Sequence, residues 1–222
     1  RVIATLVNPD GSSVVSPRSS AIGGDVEGLD KLLTFCTVGF LGALSDRVGR
    51  KPLIAWSAFG YACTAAIPAS PRQGLWKLYA ADAIDGLTSC MNAVCSAYVV
   101  DSTQSADERA VAVGIFQGIS VAGAFVLGFP LSGILGRKDP RKPIWLAVAV
   151  SLLNGFLAVF VTPESLETKT QSFDLRGANA IAVTKKLFAS SGGIALAYAL
   201  AWTANLALNT TFVNFLNKAF GW

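Results

Sequence analysis

Gly42-Ala43-Leu44-Ser45-Asp46-Arg47-Val48-Gly49-Arg50-Lys51-Pro52 is a short polar, glycine-punctuated stretch between two apolar runs. Asp46 and Arg50 stand four apart, so at a helix end they share one face and an ion pair is favourable. Gly42 is small enough to let another helix come close. Gly49 and Pro52 end one helix and start the next. A generic basic loop after an apolar helix would not need glycines, acid and bases in this order.

The flanks are membrane text. A bilayer-spanning helix needs about 20 mostly apolar residues. Residues 52–71, 110–136, 143–163 and 187–217 carry no charge, and residues 78–100 carry only Asp82 and Asp85. A sixth, shorter span runs from about Leu29 to Leu44. The chain has 222 residues, of which 52% are hydrophobic and 14% charged; a soluble domain is about 25% charged. Mean hydropathy is +0.51. The expected fold class is therefore all-α, a polytopic bundle of membrane helices embedded in a lipid bilayer.

Net charge is +4. The basic residues form short clusters between apolar runs and make no single stripe, which argues against nucleic acid as a partner. Cys36, Cys63, Cys90 and Cys95 lie inside apolar stretches with no CxxC spacing, and there is no histidine. Zinc and thioredoxin-type sites are thereby disfavoured, and no metal or cofactor is expected. Residues 1–28 hold Asn8-Pro9-Asp10-Gly11 and Ser16-Pro17-Arg18-Ser19, which read as an aqueous loop. Residues 163–187 hold Glu164, Glu167, Lys169, Asp174, Arg176, Lys185 and Lys186 and read as a linker. Both ends look cut, and the expectation is a piece of a longer protein. With residues 45–52 placed inside, 8 of the 18 Lys and Arg fall inside and 10 outside, so charge bias gives no orientation.

The opening string resembles the loop between helices 2 and 3 of the major facilitator superfamily, Gly-x-Leu-Ala/Ser-Asp-Arg-x-Gly-Arg-Lys/Arg. Tyr98-Val99-Val100-Asp101 followed by Asp107-Glu108-Arg109 resembles the helix 4 to helix 5 turn of tetracycline/proton antiporters and the hippocampus-abundant-transcript group. Pro163-Glu164-Ser165-Leu166 resembles the end of helix 6, and Phe173–Asn179 the linker before helix 7. The resemblance covers about residues 29–220, six of twelve helices. It implies an N-terminal bundle over 29–162 (helices 2 to 6), a cytoplasmic linker over 163–187, and helix 7 over 188–222. Residues 1–28 would then lie between helices 1 and 2. It also implies a gating charge cluster of Asp46, Arg47, Arg50 and Asp101, with residues 45–52 cytoplasmic.

Two departures stand out. In helix 5, Gly123, Gly128, Pro130 and Gly133 keep much of the antiporter glycine pattern, yet Phe129 replaces the glycine before proline. Close packing and a kink explain these residues equally well. In helix 4, Asp82 stands where the antiporters carry arginine.

Helix 4 carries a stripe: Asp82, Asp85, Ser89, Asn92 and Ser96, at steps of 3, 4, 3 and 4, all on one helical face. Acids in a membrane usually face a cavity or a partner. Asp82 and Asp85 either line a water-filled path, binding a coupling proton or a cationic substrate, or sit solvated at the outer interface. Helix 5 adds Gln117 and Ser120. Helix 7 adds Tyr198, Trp202, Asn205 and Asn209, which either face the path or form an interface belt.

These readings point to a monomeric, non-enzymatic secondary transporter. It would move a small organic solute (drug-like molecule, sugar or metabolite) by alternating access, with or without proton coupling. A transporter-like sensor or scaffold is the competing reading, and a membrane aspartyl protease is disfavoured because its paired motifs are absent.

Overall fold

The computed structural model describes residues 6, 16–69, 74–137, 139, 141–166 and 180–220. Its helices are α1 (Pro17–Val48), α2 (Arg50–Ala69), α3 (Leu75–Thr88), α4 (Met91–Asp101), α5 (Ala106–Gly123), a π-helical segment (Ala124–Gly128), α6 (Phe129–Gly136), α7 (Lys142–Phe160) and α8 (Ala180–Phe220). No strand occurs among the described residues. Six stretches are long and apolar enough to cross a membrane: Arg18–Val48, Arg50–Ala69, Leu75–Asp101, Ala106–Gly136, Lys142–Phe160 and Ile181–Ala204. The all-α, six-span architecture is as the sequence predicts.

The chain divides into two compact units. One is residues 29–178, the other residues 1–28 with 179–222. In the first, α2 is central and packs on α7, α3 and α4. Small residues allow this. Ala55, Ser57, Ala58, Gly60 and Ala62 of α2 are buried, and a Cβ on Gly155 of α7 would lie 3.4 Å from Ala58 and 3.3 Å from Phe59. In hydrocarbon, where burying apolar surface gives no driving force, such close van der Waals packing holds helices together. Leu41, Leu53, Ile54, Cys90, Val94 and Ala158 complete the core. By contrast Ile115, Ile119, Phe125, Val126, Leu127 and Ile134 are exposed, a surface suited to lipid or a neighbouring helix and not to water.

Several local features differ from the sequence reading. Residues 17–28, expected as loop, are helical. Ser16-Pro17 starts a helix as readily as it makes a turn: the Ser19 amide donates to Ser16 Oγ at 3.2 Å and the Ser16 amide to Ser19 Oγ at 2.9 Å, with Pro at the first helical position. Residues 180–187, expected as linker, are also helical, and residues 167–179 lie outside the described residues. α8 bends at Ser191, whose φ and ψ of −146° and 38° leave the helical region beside Gly192 and Gly193, a common cause of kinks. The π segment directly precedes Phe129-Pro130. Proline has no N–H for Val126 O, and the Phe129 amide donates instead to Ala124 O, five residues back.

The largest difference lies in the third span, Leu75–Asp101, which is two helices. Ser89, at φ −74° and ψ 76°, is the centre of an inverse γ-turn, closed by Cys90 N donating to Thr88 O at 2.9 Å.

Candidate functional site

At one end of α1, α2 and α4, the Arg50 guanidinium collects the charges. Nε donates to Asp101 Oδ2 at 2.8 Å, and Nη1 donates to Ser45 Oγ at 2.5 Å and pairs with Asp46 Oδ1 at 2.5 Å. The Arg50 side chain is 9% exposed, against 23% for Asp101 and 48% for Asp46. A guanidinium so buried needs its partners, because an unpaired charge there would carry an uncompensated desolvation cost. Arg47 is exposed and stands outside these contacts.

The sequence reading missed one member. Glu164, just past α7, accepts the backbone N–H of Arg50 at 2.9 Å and of Lys51 at 3.3 Å. It caps α2, where the helix dipole favours a negative charge. Gly49 has φ +121°, a conformation open to glycine, and a Cβ there would collide with the Glu164 carboxylate. Tyr98 adds a second tie, its hydroxyl donating to Pro163 O at 3.2 Å. The ends of α1, α2, α4 and α7 are thus joined through one arginine and one glutamate. Pro163-Glu164 is recognisable as a helix end, but a contact across 114 residues leaves no local signal.

The second feature is the break between α3 and α4, near the middle of the 27-residue span Leu75–Asp101. Ser57, fully buried on α2, inserts there: its hydroxyl donates to Thr88 O at 2.5 Å and accepts from Cys90 N at 3.1 Å. A side chain inserted into the i to i−4 ladder is a known cause of kinks. Because Cys90 N turns to Thr88 and Ser57, Gly86 O loses its ordinary helical donor. Thr37 of α1 replaces it, donating at 2.7 Å. α1 can come this near because residue 86 is glycine: a Cβ there would sit 2.6 Å from Leu33 Cβ. Thr88 Oγ1 also bonds back to Ile84 O at 2.8 Å, loosening the preceding turn.

Beside the break lies a cavity of about 320 Å³, lined by Thr34, Val38, Tyr61, Ser89, Cys90, Asn92, Ala93 and Ser96. Gln117 Nε2 of α5 donates to Asn92 Oδ1 at 2.8 Å and Ser96 Oγ at 3.3 Å. So Ser89, Asn92 and Ser96 share this cavity, and Gln117 fixes two of them from behind. Asp82 and Asp85 lie on α3, half-buried and outside the lining. Asp85 and Asp30 lie near Tyr61, which shares the lining with Ser89. Ser120 Oγ turns back to Phe116 O at 2.8 Å.

The remaining expected residues are more scattered. A Cβ on Gly42, Gly123 or Gly133 would meet nothing within 4 Å, and one on Gly128 would reach only Gly123 O, at 4.0 Å. Pro130 stands one residue past the π segment. Tyr198 and Trp202 are exposed and make an edge contact at 6.2 Å between ring centres. Asn205 and Asn209 are in α8, and their side chains lie outside the described residues.

Comparison with known proteins bears on the family of the chain. A sequence model of the Major Facilitator Superfamily matches residues 32–222. Tetracycline resistance protein class C of Escherichia coli is 34% identical over 150 residues, 68% of this chain and 37% of that protein. Hippocampus abundant transcript 1 protein of Homo sapiens is 32% identical over 147 residues, 66% of this chain and 29% of that protein. The crystal structure of the human organic anion transporter MFSD10 (TETRAN) is similar with a TM-score of 0.57 and 27% identity, over 75% of this chain and 39% of that one. The chain spans less than half the length of the curated relatives it matches.

Proposed function

Because the chain belongs to the major facilitator superfamily and is an integral multi-pass membrane protein, we propose that it carries a small organic solute by alternating access. The observation that carries this reading is the pairing of a mid-span helix break and cavity with a charge cluster at one end of the same helices. Discontinuous helices near the bilayer midplane form solute sites in many secondary transporters. A buried arginine bonded to acids from two elements is the kind of contact that holds one state closed and must part in the other.

In this reading Arg50, Asp46, Asp101 and Glu164 close the cytoplasmic side of the path. Residues 45–52 and the linker over 163–187 face the cytoplasm, and Arg47 contributes charge at that surface. Ser89, Asn92, Ser96 and Gln117 line or position the solute site. Asp85, which lies near Tyr61, is the candidate for proton coupling, with Asp82 one turn away. The chain acts as a monomer.

The test is uptake by the full-length protein in liposomes across a solute library, with and without a proton gradient. Saturable uptake is expected, with its gradient dependence lost in Asp85→Asn. Absence of flux for every solute would favour a sensor or scaffold, and unchanged gradient dependence in both Asp82→Asn and Asp85→Asn would remove the acids from the coupling step.

A further inference from the structure

The lining of the cavity constrains what can sit in it. Thr34, Tyr61, Ser89 and Ser96 present hydroxyls, Asn92 an amide and Cys90 a thiol, while Val38 and Ala93 supply the apolar patches. No lining side chain carries a charge. The charges near Tyr61, just outside, are acids, Asp85 and Asp30, and Asp30 has its own ammonium partner in Lys31. Nothing in this wall carries a positive charge to pair with a carboxylate or a phosphate. Desolvating an anion against a wall without a cation is disfavoured.

The cavity opens to the surface, so its wall bears on the chemistry of a solute and not on its outer size. Tyr61 is the single aromatic in the lining, so a flat multi-ring molecule would find one stacking face at most. The hydroxyls and the amide are spread over α1, α2, the break at Ser89 and α4. A solute with donors and acceptors around its whole rim matches that arrangement better than one with a single polar end.

We propose that this cavity takes an uncharged, multiply hydroxylated solute, such as a monosaccharide or a sugar alcohol, and disfavours organic anions. The proposal rests on the carrier reading above and adds the substrate class. It also separates this chain from what the names of its relatives would suggest, since the wall offers no cation to an organic anion and a single aromatic face to a four-ring antibiotic. Asn92 is the central contact. Its carbonyl is held by Gln117, which fixes the orientation of the amide toward the cavity.

The experiment uses the full-length protein in liposomes and three sets of radiolabelled probes of matched size: neutral monosaccharides and sugar alcohols, monocarboxylates, and quaternary ammonium cations. The expected result is saturable uptake of the uncharged set alone, with the KM raised about tenfold in Asn92→Ala, as when a hydrogen-bonding group of a site is lost. Asn92→Asp is nearly isosteric and guards against misfolding; it should lose uptake of the uncharged set and gain uptake of the ammonium probes. Uptake of carboxylates or of ammonium cations by the unmodified protein, with none of the uncharged set, would overturn the substrate class and leave the carrier reading intact. Transport of no probe in any set would count against the carrier reading itself.

Discussion

Ser57→Ala tests whether the break in the third span, Leu75–Asp101, is held from outside. The substitution removes a donation to Thr88 O at 2.5 Å and an acceptance from Cys90 N at 3.1 Å. Interhelical hydrogen bonds in a bilayer are worth about 0.6 kcal/mol on average and about 1.7 at most. Two of them therefore favour the broken form by about 1–3 kcal/mol, or about 5- to 150-fold in the equilibrium with a continuous helix. The continuous helix offers replacements: Gly86 O for the Cys90 amide, and the Asn92 amide for Thr88 O. Amide hydrogen exchange in the full-length protein, in lipid discs and resolved over residues 87–93, reads the outcome. Exchange at Met91 and Asn92 should slow in Ser57→Ala as the ladder closes, and Ser57→Thr, which keeps the hydroxyl, should match the unmodified protein. Faster exchange in Ser57→Ala would mean that a contact was lost without the helix re-forming, and the reasoning would be refuted.

Other outcomes follow from the charge cluster and its cap. Gly49→Ala places a Cβ against the Glu164 carboxylate at φ +121°; strained backbone of this kind costs about 1–3 kcal/mol, and thermal melting of the purified protein should fall accordingly. Glu164→Gln keeps the shape but removes the negative charge from the α2 N-terminus, a loss of about 0.3–1 kcal/mol that should appear as a smaller drop in the same assay and shrink in high salt. Asp85→Asn should abolish the gradient dependence of uptake while leaving exchange of solute across the membrane in place.

What is legible in the sequence, and what is not, divides along the range of the interactions. Six spans can be read because hydrocarbon tolerates so few charges over twenty residues. The Asp46–Arg50 pair can be read because four residues on a helix bring side chains together. Ser16-Pro17 is ambiguous, since the same dipeptide opens turns and helices; only the reciprocal bonds of Ser16 and Ser19 decide it. The break at Ser89 is invisible locally. Leu87-Thr88-Ser89-Cys90-Met91 contains neither glycine nor proline, and the stripe over Asp82, Asp85, Ser89, Asn92 and Ser96 has an unbroken helical period. Hydroxyls on two other helices, Thr37 and Ser57, take up the groups that the break releases. Serine and threonine in an apolar span give no sign of which backbone they will meet, and Glu164 is hidden for the same reason.

The most direct measurement is solute counterflow by the full-length protein in liposomes, comparing the unmodified protein with Arg50→Ala at saturating solute. Arg50 touches Asp46, Asp101 and Ser45 but none of the cavity lining, so a gate residue and a solute-site residue make different signatures. The account predicts counterflow by the unmodified protein, and in Arg50→Ala a turnover lowered about tenfold or more with KM changed less than about threefold, as expected for a step other than binding. Equal turnover in the two proteins would contradict the gate, and a counterflow defect confined to KM would contradict the separation of gate from site.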